Sequence, residues 1–169
     1  MRQRLNTNTP KVSPDRASRL KVLLIEDDAN DVELLRLAFE SVSGPQPDVV
    51  FNGREAIEVI QAKAQAKSAC WPDVILCDLN MPVMNGFEFI KWLKLESPCP
   101  RIPVIVLTSS VVDTDVGTSY DLGAAAYLVK PSGHEELQAL AKGLVDFWKL
   151  VQSPPSNREM KRGAPLARQ

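Results

Sequence analysis

Ile75-Leu76-Cys77-Asp78-Leu79-Asn80-Met81-Pro82 is the stretch whose reading decides the fold. With Val74 ahead of it, the stretch begins as an apolar run without the alternation of a half-solvated strand, so it reads as a strand covered on both faces. It then delivers a carboxylate, Asp78, to its carboxyl end and turns at Pro82. Open parallel sheets bind ligands beyond the carboxyl ends of their strands, which makes Asp78 the leading candidate for a working residue. An aspartate ahead of an asparagine and a proline is also an ordinary turn former, so its neighbours must decide.

Outward from this strand, short apolar runs alternate with longer segments of helical period. Upstream, Lys21–Glu26 predicts a first strand. Ala29–Ser41 follows as a helix with Val32, Leu35, Ala38, Phe39 and Val42 at helical spacing, stopped by Gly44-Pro45. A short strand over Asp48–Phe51 leads through Asn52-Gly53 into a helix carrying Ala56, Ile57 and Ile60, which the Ala/Gln/Lys-rich stretch to Ser68 prolongs. Downstream, Gly86 opens a helix through Phe89, Ile90 and Leu93, closed by Ser97-Pro98-Cys99-Pro100. Ile102–Thr108 predicts the fourth strand, with Pro103 near its entry, where a lost donor is tolerated. The polar helix from about Val112 to Leu122 has low propensity because of Gly117, Thr114, Thr118 and Ser119. Ala126–Lys130 is the fifth strand, ended by Pro131. Ser132-Gly133-His134-Glu135 has the form of a capping box that opens a last helix running to about Gln152. This alternation predicts an α/β fold, a doubly wound five-stranded parallel sheet with helices on both faces.

A chain of 169 residues suffices for one domain with a sizeable core. The apolar runs are of strand length and none follows Arg2 and Arg4, so neither a membrane span nor a secretory signal is expected. Cys70, Cys77 and Cys99 lack metal-ligand spacing and read as reduced thiols of a cytoplasmic protein. The net charge of -1 hides a segregation: residues 20–152 hold 11 basic and 19 acidic side chains, while both ends are basic. The organisation expected is a disordered basic arm over 1–19, a folded domain over 20–152 and a disordered basic tail over 153–169. The acidic domain argues against direct DNA binding by the folded part.

Glu26, Asp27 and Asp28 follow the first strand, Asp78 ends the third, Thr108, Ser109 and Ser110 end the fourth, and Lys130 ends the fifth. A parallel sheet collects all of these on one edge. Carboxylates so close together would repel and protonate, so they point to a hard cation, and Mg²⁺ fits best because it takes few protein oxygens. Each member also has a duller reading: Asp28 as a helix cap, Thr108 as a partner of the backbone, Lys130 as a surface lysine. His134, in a first helical turn, reads as solvated, and Trp92 and Trp148 as packing.

The joint pattern resembles the receiver domain of two-component response regulators, over about Lys21–Val151 and of flavodoxin-like (βα)5 type. The residues carrying the resemblance are Glu26-Asp27, Asp78 with Met81-Pro82 and Gly86, Thr108, and Lys130-Pro131. The intervals of 30 and 52 residues from Asp78 to Thr108 and Lys130 match the family's spacing. The resemblance implies a phosphoacceptor signalling protein rather than an enzyme, with slow self-dephosphorylation. Asp78 would be the phosphoacceptor, and Asp27, Asp78 and the Asn80 backbone carbonyl would ligate Mg²⁺, with Glu26 acting through a coordinated water. Lys130 and Thr108 would neutralise the phosphoryl group, and Thr108 with Tyr127 would form the switch. It further implies a Lys130-Pro131 bond that is often cis, a small Ser109 that leaves the site open, and positions Asn80 and Ser110 that tune hydrolysis in relatives.

About 17 residues follow the last helix, too few for an output domain, so a stand-alone receiver is expected. Within the family, Asp78-Leu79-Asn80-Met81-Pro82, Val106-Leu107-Thr108-Ser109-Ser110 and Leu144–Val151 look most like the small regulators of bacterial phytochrome kinases. A sensor histidine kinase of phytochrome type and a histidine phosphotransfer protein are thereby implied as partners. The last helix carries a stripe of Leu137, Leu140, Ala141, Leu144, Val145, Trp148 and Val151, widened by Phe147 and Leu150, more than one sheet face needs. That surplus favours a homodimer through this helix over complete burial in the monomer. Two other classes compete. A dehalogenase-type phosphatase wants a second acid where Asn80 stands, and a phosphorylation-independent receiver-like binding module would lack the Asp, Thr or Lys present here.

Overall fold

The computed structural model describes residues 20–66, 71–99 and 101–151, so the two basic ends, Cys70 and the end of the prolonged second helix lie outside the described residues. In chain order the elements are β1 (Val22–Ile25), α1 (Ala29–Ser41), β2 (Asp48–Val50), α2 (Gly53–Gln65) and β3 (Val74–Cys77). They continue as α3 (Gly86–Leu95), β4 (Val104–Thr108), α4 (Asp113–Asp121), β5 (Ala126–Val129) and α5 (His134–Leu150). The strands form one parallel sheet in the order β2-β1-β3-β4-β5. This is the doubly wound α/β architecture expected of the alternation.

Handedness explains the layers. Crossovers between parallel strands are right-handed, so stepping from β1 outward to β2 and then back across to β3, β4 and β5 sends the connecting helices to opposite faces. Residue alternation along each strand follows suit. Leu23, Ile25, Ile75, Cys77, Val104 and Val106 face a core with Ala56, Ile57 and Ile60 of α2 and Phe89, Ile90 and Leu93 of α3. Val22, Leu24, Val74, Leu76, Ile105 and Leu107 face a second core with α1 and with Leu137, Ala141, Val145 and Trp148 of α5. Every residue of β1, β3 and β4 is buried, which is why those strands read as unbroken apolar runs.

The helix starts are chemically marked. Asp28 caps α1, its carboxylate accepting from the Asn30 and Asp31 N–H groups, and Asn85 and Glu88 form a reciprocal capping box on α3. The box expected at Ser132 and Glu135 is not formed: α5 starts one residue later, with Gly133 at the cap and no side-chain bond there. Likewise the left-handed residue that closes α1 is Ser43, at φ 51°, and Gly44 follows it, donating to the Phe39 carbonyl at 2.8 Å. β4 begins at Val104 rather than Ile102, because Pro103 has no N–H to offer, although its carbonyl still accepts from Ile75 at 3.0 Å.

Candidate functional site

The order of the sheet reverses between β1 and β3, and a crevice opens beyond their carboxyl ends. Backbone bonds just past the strands set the side chains in it. The Asp78 N–H donates to the Ile25 carbonyl and the Glu26 N–H to the Val50 carbonyl, both at 3.0 Å. The Lys130 N–H donates to the Thr108 carbonyl at 2.8 Å, carrying the β4/β5 ladder one residue beyond β5.

Glu26, Asp27 and Asp78 each offer a carboxylate oxygen, and these atoms lie within 4.8 Å of one another. Glu26 and Asp78 are buried and Asp27 is exposed. Asp78 Oδ1 accepts from the Leu79 N–H at 2.7 Å, which fixes the carboxylate, and Oδ2 stands 3.5 Å from Lys130 Nζ. The ammonium is closer to two other acids, Glu26 Oε2 at 2.6 Å and Asp31 Oδ2 at 2.7 Å. Burial alone would lower the lysine's pKa, but its contacts with Asp31 and Glu26 and the charge of Asp78 hold it above the ordinary value. Glu26 shows the reverse balance: burial pushes its carboxyl up to about 7, although Lys130 pulls it down. The crevice therefore concentrates more negative charge than Lys130 compensates. A cluster of oxygen donors with that surplus fits a hard divalent cation.

Thr108 is fully buried at the end of β4, and its hydroxyl accepts from the Ser110 N–H at 3.4 Å. Tyr127, on β5, is partly buried against the α2/α3 core and donates its hydroxyl to the Ser110 carbonyl at 3.0 Å. The Ser110 hydroxyl in turn donates to Asp115 Oδ2 at 2.6 Å, tying the loop to the first turn of α4. Asn80 and Ser109 are exposed beside the crevice's strands, and His134 is exposed on α5. Among the described residues no peptide bond is cis, so Lys130-Pro131 is trans, contrary to expectation. The lysine is nevertheless aimed inward, by its ladder bond and its carboxylates.

Asp31 has no part in the sequence reading. It lies inside α1 rather than at a strand end, and an acid in a first helical turn looks like a dipole partner. Its one signal is position: it comes four residues after Asp27, on the turn that faces the sheet's edge.

Residues 22–142 match the response regulator receiver domain. The chain belongs to this family. The receiver is 30% identical to "Response regulator Rcp1" of Synechocystis sp. (strain ATCC 27184 / PCC 6803 / Kazusa) over 143 residues, which cover 84% of this chain and 91% of Rcp1. Among solved structures it is similar to the phosphorylated cyanobacterial phytochrome response regulator RcpA, with TM-score 0.71 and 32% identity, covering 80% of this receiver and 99% of RcpA. It is similar also to the Mn(2+)-bound form of response regulator Rcp1, with TM-score 0.70 and 30% identity, covering 80% and 99% of the two chains. The receiver is thus a response regulator of a two-component phosphorelay, resembling the small phytochrome-linked regulators, and its family partner is a histidine kinase. Among the described residues no helix is long and apolar enough to cross a membrane.

Proposed function

We propose that this receiver takes its phosphoryl group on Asp78, and that Lys130 and Thr108 are its catalytic partners. The observation that carries the reading is the placement of Asp78: buried, fixed by the Leu79 N–H, and faced by an ammonium already bound to Glu26. Phosphoryl transfer asks for alignment and for neutral surroundings for the phosphoryl oxygens, and little else. The ionised Asp78 needs no base. Its oxygen bonds to phosphorus as the phosphorus–nitrogen bond of the donor phosphohistidine breaks, and the electron pair leaves on the imidazole. Lys130 meets one phosphoryl oxygen, and the Thr108 hydroxyl, released from Ser110, meets another.

Glu26, Asp27 and Asp78, with the Asn80 backbone carbonyl, would hold the divalent ion, and Mg²⁺ is our assignment. When bound, Mg²⁺ neutralises charge on the phosphoryl oxygens. For the switch we assign Thr108 and Tyr127. The Tyr127 hydroxyl already reaches the Ser110 carbonyl behind Thr108, so movement of that loop would pass to α4 through Ser110 and Asp115.

The resemblance to RcpA and Rcp1 favours a phytochrome-type kinase as donor, with a histidine phosphotransfer protein as a further partner. We further assign the receiver to residues 20–152 in the cytoplasm, without direct DNA or membrane binding, and with a homodimer through α5. Supporting the dimer, Leu137, Ala141, Val145 and Trp148 are consumed by the core while Phe147 and Leu150 remain 56% and 72% exposed.

Intact-mass analysis after incubation with acetyl phosphate tests the central assignment. A single labile phosphate that needs Mg²⁺ and is absent from Asp78→Asn is the expected result. Undiminished labelling of Asp78→Asn would refute the acceptor, and no labelling of the native chain by acetyl phosphate or candidate kinases would favour a phosphorylation-independent binding module.

A further inference from the structure

Lys130 ends in three N–H donors; one donates to Asp31 Oδ2 at 2.7 Å, while Glu26 Oε2, 2.6 Å from the nitrogen, is an ion-pair contact off the line of a hydrogen bond. Those partners belong to different elements, Glu26 following β1 and Asp31 standing in the first turn of α1. A lysine on a flexible four-carbon stem, held at one point, still sways and spins. Held at two points, its nitrogen is fixed in place, and the bond to Asp31 sets how its other N–H groups are turned. Asp78 Oδ2, at 3.5 Å, is the next acidic atom, too far for a strong bond and with room for a closer oxygen.

We propose that Asp31 is a positioning residue for phosphoryl transfer: with the charge of Glu26 it clamps Lys130, leaving an N–H free to meet an oxygen of the arriving phosphoryl group. This rests on Asp78 as the acceptor. Asp31 acts through Lys130, and the two halves of the clamp differ in kind. The Glu26 side chain is 1% exposed and the Asp31 side chain 36%. Removing Glu26 would empty a buried site, whereas water can replace Asp31, so the effect of Asp31 on the lysine can be isolated.

The experiment compares the native chain, Asp31→Ala, Asp31→Asn and Glu33→Gln, the last removing an exposed acid from the same helix. Labelling rates with acetyl phosphate are followed by intact mass across a Mg²⁺ titration, beside a thermal melt of each variant. The saturating rate is expected to fall about tenfold in Asp31→Ala. Asp31→Asn, whose amide oxygen still accepts from the ammonium, recovers part of that loss. The half-saturating Mg²⁺ concentration moves by less than about twofold, and Glu33→Gln labels as the native chain does. A native or higher saturating rate in Asp31→Ala overturns the proposal, as does an equal loss in both Asp31 variants, which marks a merely structural role. Failure of the native chain to label, or labelling of Asp78→Asn, instead removes the acceptor assignment and the clamp with it.

Discussion

Gly86 decides how closely α3 can begin beside the acceptor. A Cβ there would stand 2.3 Å from the Asp78 carbonyl oxygen and 2.9 Å from Leu79 Cα, and backbone atoms cannot step aside as a side chain can. Gly86→Ala is expected to cost at least about 3 kcal/mol. Because the strain falls on the backbone of Asp78, labelling should slow as the urea midpoint drops. Gly53→Ala is the comparison: its Cβ first meets the flexible Met84 side chain, at 2.7 Å, so the cost is smaller, and a reversed order in urea melts would refute the argument. At this scale the sequence shows what strand ends show. Glu26, Asp27, Asp78, Thr108 and Lys130 could be placed together because parallel strands share one carboxyl edge. Asp31 could not, because its part depends on the path of a side chain out of a helix toward Lys130. The same limit explains why the trans Lys130-Pro131 bond differs from the family-based expectation: local sequence allows either isomer, and the surrounding structure selects one.

Among the elements, α5 combines a firm buried stripe with an unneeded weakness. Gly143 is exposed within the helix, and a Cβ there would meet no atom within 4 Å. Gly143→Ala should therefore stabilise the domain by about 0.5–1 kcal/mol, read as a higher urea midpoint with unchanged slope. An unchanged or lower midpoint would show that the glycine serves something beyond the helix. Element boundaries were legible where a side chain marks them. α1 runs over Ala29–Ser41 as expected because Asp28 supplies the cap, and α3 opens at Gly86 because Asn85 and Glu88 close the box ahead of it. At α5 the spacing of Ser132 and Glu135 satisfies the motif, yet the backbone bonds start one residue later, with the Leu137 N–H donating to the Gly133 carbonyl. A motif of four residues cannot report that competition.

For the whole molecule, the surplus negative charge of the crevice should make stability depend on the ion. Mg²⁺ at about 100 times its dissociation constant should stabilise the folded state by about 2.7 kcal/mol. Asp27→Asn should lose most of that gain in a thermal melt, and an equal rise in the variant would remove Asp27 from the ligand set. Phe147 and Leu150 make a second prediction at this scale. Light scattering at micromolar concentration should give twice the monomer mass for the native chain and the monomer mass for a Phe147→Ser, Leu150→Ser variant. A monomer from the native chain, with and without acetyl phosphate and Mg²⁺, removes the dimer. The doubly wound parallel sheet is legible in the alternation of strands and helices, but the assembly is not, since burial within one chain and burial between two leave the same apolar stripe. The division of the core into two layers also bears on descent. With the sheet's backbone between them, a side chain that swells near Ile57 cannot be accommodated by a smaller one near Val145. Compensating changes in this lineage should therefore pair up within a layer, giving each face a separate history, and only the edge carrying Asp78 obliges the two histories to agree.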